Sequence, residues 1–259
     1  MITSDAERSR TTPETLGTEH IEAYRRDGFV QVPSLITRAE ADAYRQAAMD
    51  FDTRGQSTVN YSTAVFNQHV NVWRHDDKIK ALTLNKSLGK IAEMLAGVPL
   101  RLWHDQLLIK KPKNSAPTEF HQDQPYWPHA NSTHPISVWI ALVDVPIERG
   151  CMTFIPGSHL RDDLEEQDLE DATSLFRVCP ELTWDRRVTV PLRAGDCTFH
   201  HGRCAHMATP NFTDEHRVAH VVIFIDQATT YTGREHVVTD GLGLDIGGRL
   251  DHELFPKVS

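Results

Sequence analysis

A mainly β fold, with helices gathered on the N-terminal side, follows from three observations on this 259-residue chain. Helical periodicity dominates up to residue 98, extended periodicity takes over from residue 99, and turn signals recur between short apolar runs thereafter. Among β architectures, a double-sheet jelly roll of the cupin kind suits strands of this length and spacing, with the helices packed outside. No internal repeat or linker divides the chain. Residues 1–16 are expected to be a disordered arm and residues 17–259 a single domain. A hydrophobic fraction of 39% is enough for a sizeable core at this length.

The elements read as follows. Residues 20–27 form a short helix, and residues 28–33 a first strand that stops at Pro33. Thr37 caps a helix to Phe51, whose Ala41, Tyr44, Ala47, Ala48 and Phe51 recur at helical spacing. Residues 55–72 are polar and read as a loop able to cover a pocket. A helix over residues 78–95 carries Ile79, Leu82, Leu88, Ile91 and Leu95 on one face and stops at Gly97. Strands are then expected over 100–109, 136–143, 152–155, 187–192, 197–200 and 217–225. Residues 160–186 are strongly acidic and read as a solvated excursion. The tail after Asp226 has glycine-rich turns and little regular pattern.

A formal net charge of −9 argues against nucleic acid or an anionic membrane surface as a partner. Four cysteines without a C-x-x-C pair make no disulfide framework, so they read as reduced thiols in a cytoplasmic protein. The N-terminal stretch has no apolar signal core, and no apolar run is long enough to span a bilayer. A small molecule is the expected partner.

The 15 histidines carry more information. In His121-Gln122-Asp123, an imidazole and a carboxylate two positions apart fall on the same side of an extended segment. They offer two of the three ligands of the facial triad that holds non-haem Fe(II). Spacing alone does not single the pair out, because His75-Asp76-Asp77 and His20-Ile21-Glu22 fit as well. His20 lies in a helix, where such positions diverge, and Asp77 is accounted for as a helix cap. For a distal ligand, His200, His201 and His206 are equal candidates. Arg217 begins a strand whose same-side neighbours, Ala219, Val221 and Ile223, are apolar. Such an arginine either clamps a carboxylate ligand or makes a structural salt bridge.

An ordered series of segments goes further. Gly28-Phe29-Val30, His121-Gln122-Asp123, Ser137 to Leu142, Gly150-Cys151-Met152, Ile155 to His159, Gly195-Asp196, Phe199 to Gly202, and His206 to Arg217 together resemble the phytanoyl-CoA dioxygenase family over about residues 20–226. The resemblance implies a double-stranded β-helix enzyme that uses Fe(II), 2-oxoglutarate and O2. It implies His121, Asp123 and His206 as metal ligands, since the family's distal histidine opens a segment ending in Pro-Asn, here Pro210-Asn211. Arg217 matches the arginine that binds the distal carboxylate of 2-oxoglutarate, and Trp139 and Leu107 match positions lining that site.

Gln106 and Trp127 resemble residues that ectoine hydroxylase, a relative, places near its substrate. His134 and His129, in the loop after Trp127, are further candidates to touch substrate. Where the family often has a serine two residues past the distal histidine, this chain has Ala208, with Thr209 as a possible substitute. An aspartate ligand, rather than the small residue of related halogenases, favours hydroxylation of an unactivated C–H of a small molecule such as a specialised metabolite, with release of succinate and CO2; desaturation, ring closure and epoxidation stay open with the same ligands. The alternatives are a jelly-roll binding protein without turnover, or a cupin-like enzyme that uses another metal without 2-oxoglutarate. No segment encodes the substrate.

Overall fold

The computed structural model describes residues 8–54, 60–62, 66–114, 116–162 and 165–259. Helix α1 (Thr18–Asp27), strand β1 (Phe29–Val32) and helix α2 (Arg38–Thr53) come first. They are followed by β2 (Asn60–Ser62), β3 (Asn67–Val70), α3 (Asp77–Thr83) and α4 (Lys86–Ala96). The β region contains β4 (Leu100–Lys110), β5 (Thr118–His121), β6 (His129–Ala130), β7 (Ile136–Ala141) and β8 (Met152–Phe154). A short helix α5 (Ser174–Val178) precedes β9 (Val188–Val190), β10 (Cys197–His201), β11 (His206–Ala208), β12 (Arg217–Asp226) and β13 (Thr230–Tyr231).

Two antiparallel sheets face each other. The larger runs β1-β10-β7-β12-β4-β3-β2, the smaller β5-β11-β8-β9, and β13 pairs with β6 at the side. This is the expected jelly roll. Strand β12 is buried along its whole length, because alternate residues serve different layers. Val218, Val222 and Phe224 pack with Ile79, Leu82, Leu88 and Ile91 of the helices. Ala219, Val221 and Ile223 face the smaller sheet with Trp139, Met152 and Phe154.

Local chemistry explains the helix ends. Thr37 and Glu40 form a reciprocal capping box at the start of α2. Gly28 and Gly97 end α1 and α4 in the left-handed region, at φ 81° and 75°.

Several expectations are corrected. The helix read over 78–95 is two helices, because Asn85 leaves the helical path and accepts a hydrogen bond from Leu88 N–H as a new cap. Residues 60–62 and 67–70 of the expected loop are strands β2 and β3, extending the larger sheet beside β4. Of the expected disordered arm, residues 1–7 lie outside the described residues. Residues 8–16 are laid against the domain, with Thr11 N–H bonded to the Ser34 carbonyl and Leu16 buried. The acidic excursion is not wholly solvated: Leu175, Cys179 and Leu182 pack on Phe120 and Ile155. The tail after Asp226 buries Leu250 and Phe255 and reaches the cavity described below.

Candidate metal and co-substrate site

His121 is the last residue of β5 and His206 the first of β11, and the two are directly paired across the ladder. His121 Nδ1 lies 2.7 Å from the Glu119 carbonyl and His206 Nδ1 lies 2.9 Å from the Cys204 carbonyl. A carbonyl only accepts, so both Nδ1 atoms carry the proton and both Nε2 atoms present a lone pair. Asp123 completes the group: its Oδ1 is 3.6 Å from His121 Nε2 and 3.7 Å from His206 Nε2. One ligand atom from each of the three residues lies within 4.8 Å of the others, a spread a single metal ion can gather.

Extended alternation is not what places Asp123. The strand stops at His121, and Asp123 takes right-handed helical angles at the start of a tight turn, Gln124–Tyr126. The carboxylate is steered instead from β7 and β10. Ser137 Oγ donates to Asp123 Oδ2 at 2.9 Å, and His200 Nε2 lies 3.4 Å from the same oxygen. One oxygen is thus tied down while the other faces the histidines. Burial opposes the Asp123 charge, but His206, then His200 and His121, outweigh it and hold the carboxyl below the usual range. Burial also pulls His121 and His206 down to about 4. Near neutral pH the group therefore holds one carboxylate and two neutral imidazoles, the protonation state a divalent metal requires.

The three residues open onto a cavity of about 450 Å³ between the sheets, within the range of small-molecule sites. Apolar walls come from Phe66, Val70, Leu108, Tyr126, Trp127 and Val237, among others. Arg217 is 1% exposed and has no carboxylate partner among the described residues. It donates to the Leu108 carbonyl at 3.3 Å, its guanidinium lies 5.3 Å from the Trp139 ring centroid, and its Nε has no hydrogen-bond partner among the described residues. Burial lowers it to about 9. A buried guanidinium with an unused donor, on the cavity that holds the metal group, fits an anionic ligand such as the far carboxylate of 2-oxoglutarate.

Of the sequence candidates, His121, Asp123, His206, Arg217, Trp139, Gln106 and Trp127 meet in this cavity. Three do not. Leu107 points to the opposite face of β4, where it is fully buried in the helix-side core. Thr209 Oγ1 donates to the Ile147 carbonyl, away from the cavity, so it does not replace the missing serine. His134 is held at Asp226 outside the cavity lining.

Sequence reasoning missed Ser137, whose hydroxyl fixes Asp123, and Thr118, which lines the cavity and is the strand partner of Ala208. It also missed His104, two residues before Gln106 on the same strand face. The period-two rule applied to Gln106 would have found it. Residues 234–237 line the cavity from the tail, and no local signal announces them.

The arrangement is a His-Asp-His group that could hold a metal ion, beside a buried arginine, on a double-stranded β-helix. Comparison with known proteins agrees: the sequence profile of the phytanoyl-CoA dioxygenase (PhyH) family matches residues 24–219, and the chain belongs to that family. It is similar to phytanoyl-CoA dioxygenase domain-containing protein 1 of Mus musculus, with 26% identity over 194 residues, covering 70% of this chain and 64% of the mouse protein. It is also similar to a probable alpha-ketoglutarate-dependent hypophosphite dioxygenase of Stutzerimonas stutzeri, with 25% identity over 62% of this chain and 56% of that protein.

Among solved structures, the alpha-ketoglutarate-dependent carbocyclase SnoK from nogalamycin biosynthesis superposes with a TM-score of 0.86 at 36% identity. The match covers 97% of this chain and all of that one (100%). The epimerase SnoN in complex with Fe3+, alpha-ketoglutarate and nogalamycin RO gives 0.81 at 35% identity, over 93% of this chain and 98% of that one. Iron and 2-oxoglutarate are the cofactors of this fold and site. Among the described residues, no helix is long and apolar enough to cross a membrane.

Proposed function

We propose that residues 17–259 form one catalytic unit, an Fe(II)- and 2-oxoglutarate-dependent oxygenase acting on an unactivated C–H of a small, largely apolar molecule. His121, Asp123 and His206 hold the iron. Arg217 receives the far carboxylate of 2-oxoglutarate over the face of Trp139. The observation that carries the reading is the meeting, on one cavity, of three convergent ligand atoms and a buried arginine with an unused donor.

When bound, iron and 2-oxoglutarate supply the oxidising power, coupling reduction of O2 and decarboxylation to succinate and CO2 with C–H oxidation. The chain supplies placement. The Glu119 and Cys204 carbonyls orient the two imidazoles, Ser137 and His200 set which carboxylate oxygen faces the metal, and Arg217 fixes one end of the co-substrate. Trp127, Tyr126, Val221 and Ile223 exclude water around the remaining volume. The cytoplasm suits four buried cysteines among which the sequence has no C-x-x-C pair.

Hydroxylation is the outcome we read from the aspartate ligand. A second reading, ring closure or inversion of a specialised metabolite, is supported by the similarity to the carbocyclase SnoK and the epimerase SnoN. The test is succinate formation from 2-oxoglutarate, dependent on Fe(II) and O2 and stimulated by a panel of apolar metabolites. Product mass separates the outcomes: one oxygen gained for hydroxylation, two hydrogens lost for ring closure, no change for inversion. No Fe(II)-dependent succinate with any member would refute the proposal.

A further inference from the structure

Beyond the metal and Arg217, the cavity has a second polar end. Strand β4 runs past both. His104, Gln106 and Leu108 line the cavity in alternation, and Lys110 beyond them is the register partner of Arg217. Six residues of strand separate His104 from Lys110, roughly 20 Å at the usual rise, so His104 marks the end of the cavity remote from the carboxylate clamp. The tail brings His236 to the same end, with ring centroids 6.4 Å apart.

The hydrogen bonds of these two histidines fix what each offers the cavity. His104 Nδ1 lies 3.2 Å from the Asp105 carbonyl, which only accepts, so Nδ1 bears the proton and Nε2 is an acceptor. His236 Nδ1 accepts from the Val238 N–H at 3.2 Å, so its proton is on Nε2, a donor. The assignment requires neutral rings. Burial supplies this, lowering His104 to about 3 and His236 to about 4. Neither Nε2 has a hydrogen-bond partner among the described residues, and the ring separation is within what two bonds of about 2.9 Å through a shared atom can span.

We infer that His104 and His236 form a substrate subsite that reads a neutral hydroxyl on an otherwise apolar, ring-bearing molecule. The hydroxyl hydrogen goes to His104 Nε2 and its oxygen accepts from His236 Nε2–H. A carbonyl or ether leaves His104 without a donor, and an ammonium leaves the His236 proton without an acceptor. Either mismatch strands a buried polar group. Trp127 and Tyr126 line the same cavity and offer flat aromatic surface to a ring. The target C–H then lies between this anchor and the metal. The inference rests on reading the cavity as a substrate site, but it concerns binding and does not require turnover.

The test is tryptophan-fluorescence titration of the Ni(II)- and 2-oxoglutarate-loaded protein with 2-naphthol, 2-methoxynaphthalene and naphthalene. The expected result is that 2-naphthol binds at least ~10-fold more tightly than its methyl ether, the scale of one unpaired buried acceptor. His104→Met removes that preference while leaving naphthalene affinity unchanged, and His104→Gln, which keeps an acceptor at the same reach, retains most of it. His236→Met weakens 2-naphthol and the ether by a similar factor and spares naphthalene. Equal affinity for the alcohol and the ether overturns the inference. So does a preference that survives His104→Met, or no saturable binding of any probe. The preference without Fe(II)-dependent succinate formation would leave the subsite standing and refute the catalytic proposal alone.

Discussion

The chain buries two aspartates among histidines, and they end in opposite states. Asp123 opens onto the cavity, between His121, His206 and His200. Asp105 is sealed, 0% exposed, behind the larger sheet. Its Oδ2 accepts from Trp73 N–H at 3.0 Å and from Thr83 Oγ1 at 2.9 Å. Thr83 has one hydroxyl proton and gives it to Asp105, so His220 Nε2, 2.9 Å away, must donate to Thr83. Burial raises the Asp105 carboxyl to about 7, whereas the surrounding imidazoles keep Asp123 low. Residue type does not separate a metal site from a structural node. Direction does: at Asp123 two imidazole lone pairs converge with a carboxylate oxygen on open space, while at Asp105 every neighbour is a donor and there is no space.

The same substitution at both aspartates is the strongest way to break this contrast. Asp123→Asn is expected to lower 2-oxoglutarate turnover by about three orders of magnitude or more, since loss of an outer partner alone costs 10- to 100-fold. Its melting temperature should hardly move. Asp105→Asn retains an acceptor for Trp73 and Thr83, so turnover stays near wild type and stability changes within about 1 kcal/mol. Steady-state assays and thermal melts check both, and the reversed pattern would mean the two sites have been mistaken for each other.

Arg217→Met should raise the 2-oxoglutarate KM roughly 100-fold, as expected when one partner of a buried charge pair is lost. Metal content measured by mass spectrometry should be unchanged. Parallel loss of metal would make Arg217 structural. Asp105→Ala should cost about 2–3 kcal/mol in denaturant unfolding, because it orphans the Trp73 and Thr83 donors. Ser137→Ala leaves Asp123 Oδ2 to His200 alone and should weaken metal affinity about tenfold without altering the fold.

pH acts on the buried histidines as a set. His104, His121, His201, His206, His220 and His236 are lowered to between about 3 and about 4. Each is neutral when folded and charges on unfolding, so its contribution is complete above the ordinary histidine value and is lost as pH falls toward 3. The slope is up to about 1.4 kcal/mol per pH unit for each histidine. Asp105, raised to about 7, works in the opposite sense and offsets one proton. Unfolding of the metal-free protein between pH 7 and 4 reads the sum, and a flat profile would contradict the burial of these rings.

Much of the fold was legible because it follows from period. The change from helical to extended spacing near residue 99 marks the start of the main run of strands, and Thr37 and Gly97 mark helix ends by their own chemistry. The break at Asn85 was hidden because apolar spacing continues across it from Leu82 to Leu88. In the site, Leu107 matches a family position, but it alternates with Gln106, and two neighbours on one strand cannot both face the cavity. Thr209 failed for a similar reason, since Ala208 already takes the inward position. Ser137 and the residues around His236 come from distant strands and the tail, and their approach to Asp123 and His104 is a property of the assembled jelly roll that no local window contains.

The central claim is that His121, Asp123 and His206 bind one iron to which 2-oxoglutarate then adds. Anaerobic titration of the metal-free protein with Fe(II), followed by 2-oxoglutarate, tests this most directly. The account predicts one equivalent of tightly held Fe(II) and a weak visible absorption band that appears only with 2-oxoglutarate, is absent in His206→Ala, and persists in Asp105→Asn. No band at saturating 2-oxoglutarate, or the same band in His206→Ala, would contradict it.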